Sequence, residues 1–147
     1  MMFEKATRIE ASAARVWRLF ATEEGQRRAE VGFVSSIEFE GEGLGMVRTM
    51  RTEGRLGDGY VKERLDHYDE ANMEMMFRIV DTGDVVPFAD YCGCAKVIPA
   101  GASACVLLMR STFVPVDMPE DAARAVSEEN YRLFIANVRA AVAAGDV

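Results

Sequence analysis

Long apolar runs, an excess of basic residues, and clusters of histidine or cysteine are all missing from this 147-residue chain. Without a run of about 18 apolar residues, no segment can cross a bilayer as a helix. Lys and Arg number 17 against 24 Asp and Glu, for a net charge of −7. Such an acidic balance repels nucleic-acid phosphates, so no nucleic-acid partner is expected. It also disfavours anionic lipid surfaces, and stable membrane insertion is not expected. One histidine, His67, and three cysteines, Cys92, Cys94 and Cys105, make no familiar zinc set, so neither metal nor cofactor is expected. The N-terminus lacks the pattern of a secretory leader, and the odd cysteine count points to reduced thiols and a cytoplasmic address. Cys92 and Cys94, two apart on a strand, share a face rather than forming a redox motif. Missing too are GxSxG, Walker, HExxH and dinucleotide signatures, and with them the common hydrolase, nucleotide and metalloprotease chemistries.

What remains is an ordinary globular composition, 50% apolar and 28% charged, of a length suited to one domain over residues 1–147. Residues 2–9 read as a strand. Ser12 is placed to cap a short helix carrying Val16, Trp17 and Phe20, and Thr22 a second one over about 23–29. From 33 to 113 the chain reads as six strands broken by turn signals at 41–43, 54–59, 70–72 and 99–101, a pattern suited to an antiparallel meander. The segment from about 119 to 144 reads as one long amphipathic helix. Asp117 and Glu120 suggest a capping box, Pro119 a helix start and Gly145 a stop.

Alternation assigns faces to the strands. Phe33, Ile37 and Phe39 point inward and Val34 outward. Met46, Arg48, Met50 and Thr52 share an inner face, as do Glu63, Leu65 and His67. Glu74 and Arg78 mark an outer face and leave Met73, Met75, Phe77 and Ile79 inside. Lys96 and Arg110 likewise index inner rows of Tyr91, Gly93, Ala95 and Val97, and of Cys105, Leu107, Met109 and Ser111. On the last helix Phe134, Val138 and Val142 form a stripe, with Val126, Asn130, Tyr131 and Ala141 beside them.

The order of elements, together with Gly45-Met46-Val47-Arg48, Glu63-Arg64-Leu65-Asp66 with Asp69, and the stretch STFVPVDMP from Ser111, resembles the SRPBCC superfamily. That group includes START lipid-transfer domains, plant pathogenesis-related allergens and polyketide cyclase/dehydrase-like proteins. The last stretch is similar to that of plant abscisic-acid receptors. The resemblance implies an α+β helix-grip fold, a curved antiparallel sheet of about seven strands around a long C-terminal helix, with two short helices after the first strand. It also implies an internal cavity with an arginine and a glutamate at Arg48 and Glu63, a tyrosine beside the ligand at Tyr91, and gating loops at 53–58 and 82–90. At both loops this chain departs from the receptors.

Two opposite charges buried on neighbouring strands are expected to pair. Arg48 and Glu63 could satisfy each other or hold a ligand's polar group. His67 could move protons or rest hydrogen-bonded in a core. Expected cavity residues are Phe39, Arg48, Met50, Glu63, His67, Phe77, Ile79, Tyr91, Met109, Phe134 and Val138. The leading expectation is enclosure of a small hydrophobic molecule of lipid, polyketide or aromatic type. The alternative is a polyketide cyclase or dehydratase using Arg48, Glu63 or His67, and a third is an interaction protein whose cavity is filled by its own side chains. A homodimer is left open.

Overall fold

The computed structural model describes residues 1–145. Strand β1 (Met2–Ile9) leads into helices α1 (Ala13–Ala21) and α2 (Glu23–Ala29). Six strands follow, β2 (Val34–Glu40), β3 (Val47–Thr52), β4 (Gly59–Asp69), β5 (Glu74–Asp81), β6 (Phe88–Pro99) and β7 (Cys105–Pro115), then helix α3 (Glu120–Ala143). The strands form one antiparallel sheet in the order β1-β7-β6-β5-β4-β3-β2. This is the helix-grip arrangement expected from the sequence, with α3 held against the concave face.

Both short helices begin where capping side chains occur. Ser12 Oγ accepts from the Arg15 amide at 3.3 Å, and Thr22 Oγ1 from the Gly25 amide at 3.0 Å, each satisfying an otherwise orphaned donor. Gly25 is needed at the junction of α1 and α2, because a Cβ there would stand 2.2 Å from the Arg18 carbonyl oxygen. Helix α3 differs at its start. Pro119 occupies the N-cap position, and no side-chain hydrogen bond caps the helix among the described residues. The expected Asp117–Glu120 capping box is therefore not formed, because Asp117 turns into the left-handed region at φ 55°. Gly145 ends the helix as expected, with φ 74° and its amide donating to the Val142 carbonyl.

Apolar packing falls into three clusters. The largest joins α1 (Val16, Trp17, Leu19) to Val97, Cys105 and Leu107 of the sheet and to Ile135, Val138 and Ala141 of α3. A second gathers Phe3, Phe88, Phe113 and Tyr131 near the start of α3. A third joins Phe33, Val34, Ile37, Met50 and Val61 at the β2–β4 side. No helix among the described residues is long and apolar enough to cross a membrane.

Candidate functional site

Between the three clusters lies a cavity of about 500 Å³. Its wall is largely apolar, with Met50 from β3, Phe77 and Ile79 from β5, Met109 from β7 and Phe134 from α3. Leu56, Val85, Val86 and Pro87 from the loops after β3 and β5 complete the mouth. There Arg55 donates to Asn130 of α3, tying the first loop to the helix. Gly93 faces the cavity from β6, and a Cβ added there would meet only Tyr91, at 3.5 Å.

Polar groups enter the cavity at two places. At one end Arg48, 8% exposed, donates from Nε and Nη2 to Glu63 Oε2 at 3.2 and 2.7 Å, as the β3–β4 register that sets these two residues opposite each other allows. Its Nη1 donates to Gln26 Oε1 at 2.7 Å, and its guanidinium lies over the Phe77 ring, 3.9 Å from the centroid. Gln26 is held in turn by donating from Nε2 to the Phe20 carbonyl at 2.9 Å. Glu30, at the C-terminal cap of α2, brings Oε1 to 3.8 Å from Arg48 Nη2. Burial raises the Glu30 carboxyl from 4.5 to about 7; Arg48 opposes the rise and Glu63 adds to it.

At the other end three hydroxyls form a chain. Tyr91 and Ser111 Oγ are hydrogen-bonded at 2.7 Å, and Ser111 Oγ is bonded also to the Tyr131 hydroxyl. Removal from solvent pushes the titration of Tyr91 well above its ordinary value and that of Tyr131 up to about 12. Both hydroxyls therefore keep their protons through the neutral range.

The cavity thus brings together eight of the expected residues, Arg48, Met50, Glu63, Phe77, Ile79, Tyr91, Met109 and Phe134. Three others lie elsewhere. A register shift between Leu65 and His67 turns the His67 side chain away, where it meets Glu74 Oε1 at 3.0 Å and is 45% exposed. Phe39 packs at the edge of the third cluster, with the Arg27 guanidinium 5.3 Å from its ring centroid. Val138 is fully buried in the largest cluster, one turn beyond the cavity wall. A shift between Val34 and Ser36 also reverses the expectation for Val34, which faces the cavity. Gln26 and Glu30 were not anticipated. Their signal is a spacing of four in a short helix, which places both on one face.

Burial pushes all three free cysteine thiols up, which disfavours the reactive thiolate. Among the described residues no group of three or more His, Cys, Asp or Glu side chains is placed to hold a metal ion.

Residues 2–143 match the protein family described as polyketide cyclase/dehydrase and lipid transport. Several solved structures share the fold. An uncharacterised protein from Bacillus thuringiensis has 17% identity and a TM-score of 0.81, over 96% of this chain and 98% of that one. An aromatase/cyclase from a Streptomyces species has 19% identity and a TM-score of 0.78, over 95% of this chain and 92% of that one. Norcoclaurine synthase from Thalictrum flavum, in complex with a transition-state analogue, has 15% identity and a TM-score of 0.73, over 100% and 96%. No curated protein matches the sequence.

Proposed function

Because this chain belongs to the polyketide cyclase/dehydrase and lipid-transport family, we propose that it binds a small, mainly hydrophobic molecule between its sheet and α3. The observation that carries this reading is the cavity itself, whose volume of about 500 Å³ falls within the usual range of ligand pockets. Its walls supply apolar burial, while the polar groups stand at two ends and can orient a ligand. Arg48 and Glu63 would meet one polar end, and the Tyr91–Ser111–Tyr131 chain the other.

The test is to fill the wall without disturbing the core. Gly93→Ile adds a β-branched side chain, favoured in strands, to a position with open space in front of it. The variant should keep its melting temperature and bind the neutral dye Nile red at least about tenfold more weakly, because ring volume and side-chain volume compete. Unchanged affinity in the folded variant would place the site elsewhere.

Glu30 favours a second reading, acid/base catalysis on a carbonyl compound in the same cavity. A carboxyl titrating near neutral pH can both give and accept a proton, and Arg48 would stabilise charge developing on oxygen. For an identified substrate, this reading requires Glu30→Gln to lose turnover beyond its change in binding.

A further inference from the structure

The Arg48 end of the cavity has an unusual charge balance, with one cation, Arg48, facing two carboxyl groups, Glu63 and Glu30. An arginine recognises a carboxylate best through two parallel N–H groups on one edge of the guanidinium. Here the Nε/Nη2 edge is taken by Glu63, and the Nη1/Nη2 edge is flanked by Gln26 and Glu30. Phe77 covers one face. A second carboxylate would find no free fork and would approach Glu30 besides.

Glu30 is differently placed from Glu63. At 3.8 Å its Oε1 is within ion-pair range of Arg48 but outside hydrogen-bond range, and Glu30 lines the cavity, so Arg48 does not use up its capacity to accept a hydrogen bond. The groups beside it are Arg48 from β3, Glu63 from β4 and, on α2, Gln26; Tyr91 of β6, at the other end, is within electrostatic reach, and Asn130 and Tyr131 of α3 line the same space. We propose that Glu30 selects ligands by charge, admitting neutral molecules that present a hydroxyl or other hydrogen-bond donor to the Arg48 end and rejecting carboxylates. The inference rests on the reading of the cavity as a binding site and adds to it the class of ligand.

Three probes of one shape test it: 2-naphthol, 2-naphthoate and 2-methylnaphthalene, titrated calorimetrically into the wild-type protein and into Glu30→Gln. Naphthoate is ionised and naphthol neutral from about pH 6 to about pH 8. At about pH 8 naphthol should bind wild type at least about tenfold more tightly than naphthoate, and more tightly than methylnaphthalene. Naphthoate should gain affinity as the pH falls through about 7, and in Glu30→Gln both this pH dependence and most of its deficit should vanish. The wild-type pH series needs no substitution, so it decides the matter even if the variant fails to fold. Equal binding of naphthol and naphthoate at about pH 8, or a naphthoate affinity flat in pH, overturns the selection while leaving the cavity as a site. Naphthol binding no tighter than methylnaphthalene overturns donor recognition. Binding of none of the three overturns the site and the selection together.

Discussion

Helix α3 covers two kinds of interior. Its C-terminal half sets Ile135, Val138 and Ala141 into a filled core, because α1 inserts Val16, Trp17 and Leu19 beneath it. Its N-terminal half sets Val126, Asn130 and Tyr131 over a cavity, where loop side chains such as Leu56 and Val86 stand in place of a helix. One sheet and one helix therefore supply stability at one end and space at the other. Such a division lets the wall of the cavity vary without undoing the fold.

The largest effect that separates the two ends is truncation. Leu107, with no exposed surface, lies in the filled core, and Leu107→Ala should cost about 3 kcal/mol, or about 10 °C in melting temperature, because the void it leaves cannot collapse. Ile79 already borders open space. Ile79→Ala forfeits transfer free energy without creating a new void and should cost about 1 kcal/mol. Urea denaturation of the two variants measures the difference, and equal losses would mean that the hollow end is packed as tightly as the other.

The same division explains what could be read in the sequence. Alternation identifies the inner residues wherever a strand runs regularly, as with Arg48 and Met50 on β3 and Phe77 and Ile79 on β5. It fails at Val34 and His67, where register shifts change the parity. Helical periodicity identifies the buried stripe of α3 but not the depth along its axis. Phe134 and Val138 stand on one stripe, yet the first lines the cavity and the second fills the core. Gln26 and Glu30 are hidden for another reason: α2 is short and mostly polar, so no apolar pattern marks the face it turns inward. Only the fold brings that face to Arg48.

An intermediate effect comes from pH at the hollow end. The Glu30 carboxyl is raised from 4.5 to about 7 in the folded state. Between these values the folded chain holds a proton that the unfolded chain has lost. The stability associated with the protonated group is thus fully present below about pH 4.5, declines as the pH rises, and is lost above about 7. Glu30→Gln removes the cost of the buried charge and should be more stable than wild type at about pH 8, by about 1–3 kcal/mol, with the advantage gone at about pH 4.5. Leu107→Ala, by contrast, should lose the same amount at both pH values. Thermal melts of the three proteins at each pH check the contrast. A Glu30→Gln advantage independent of pH would show that packing, not charge, is responsible.

The smallest effect belongs to the hydroxyl chain. Tyr91→Phe keeps the ring, which stacks against Phe88 and Phe113 at centroid distances of 6.0 and 5.7 Å, and so preserves the apolar wall. It removes one hydrogen bond to Ser111, but Ser111 retains its bond with Tyr131 and is not left unsatisfied. The loss of stability should therefore stay within about 1 kcal/mol. Ser111→Ala should cost more, since it takes the partner from both tyrosines at once. Because burial keeps both phenols protonated well above neutral pH, whatever Tyr91 contributes to binding 2-naphthol should be constant from about pH 6 to about pH 8. Tyr91→Phe should lower that affinity by about threefold or less and leave the pH dependence of naphthoate binding as in wild type. If the pH dependence moved with Tyr91, the two polar ends of the cavity would titrate as one network, and Glu30 would no longer act alone.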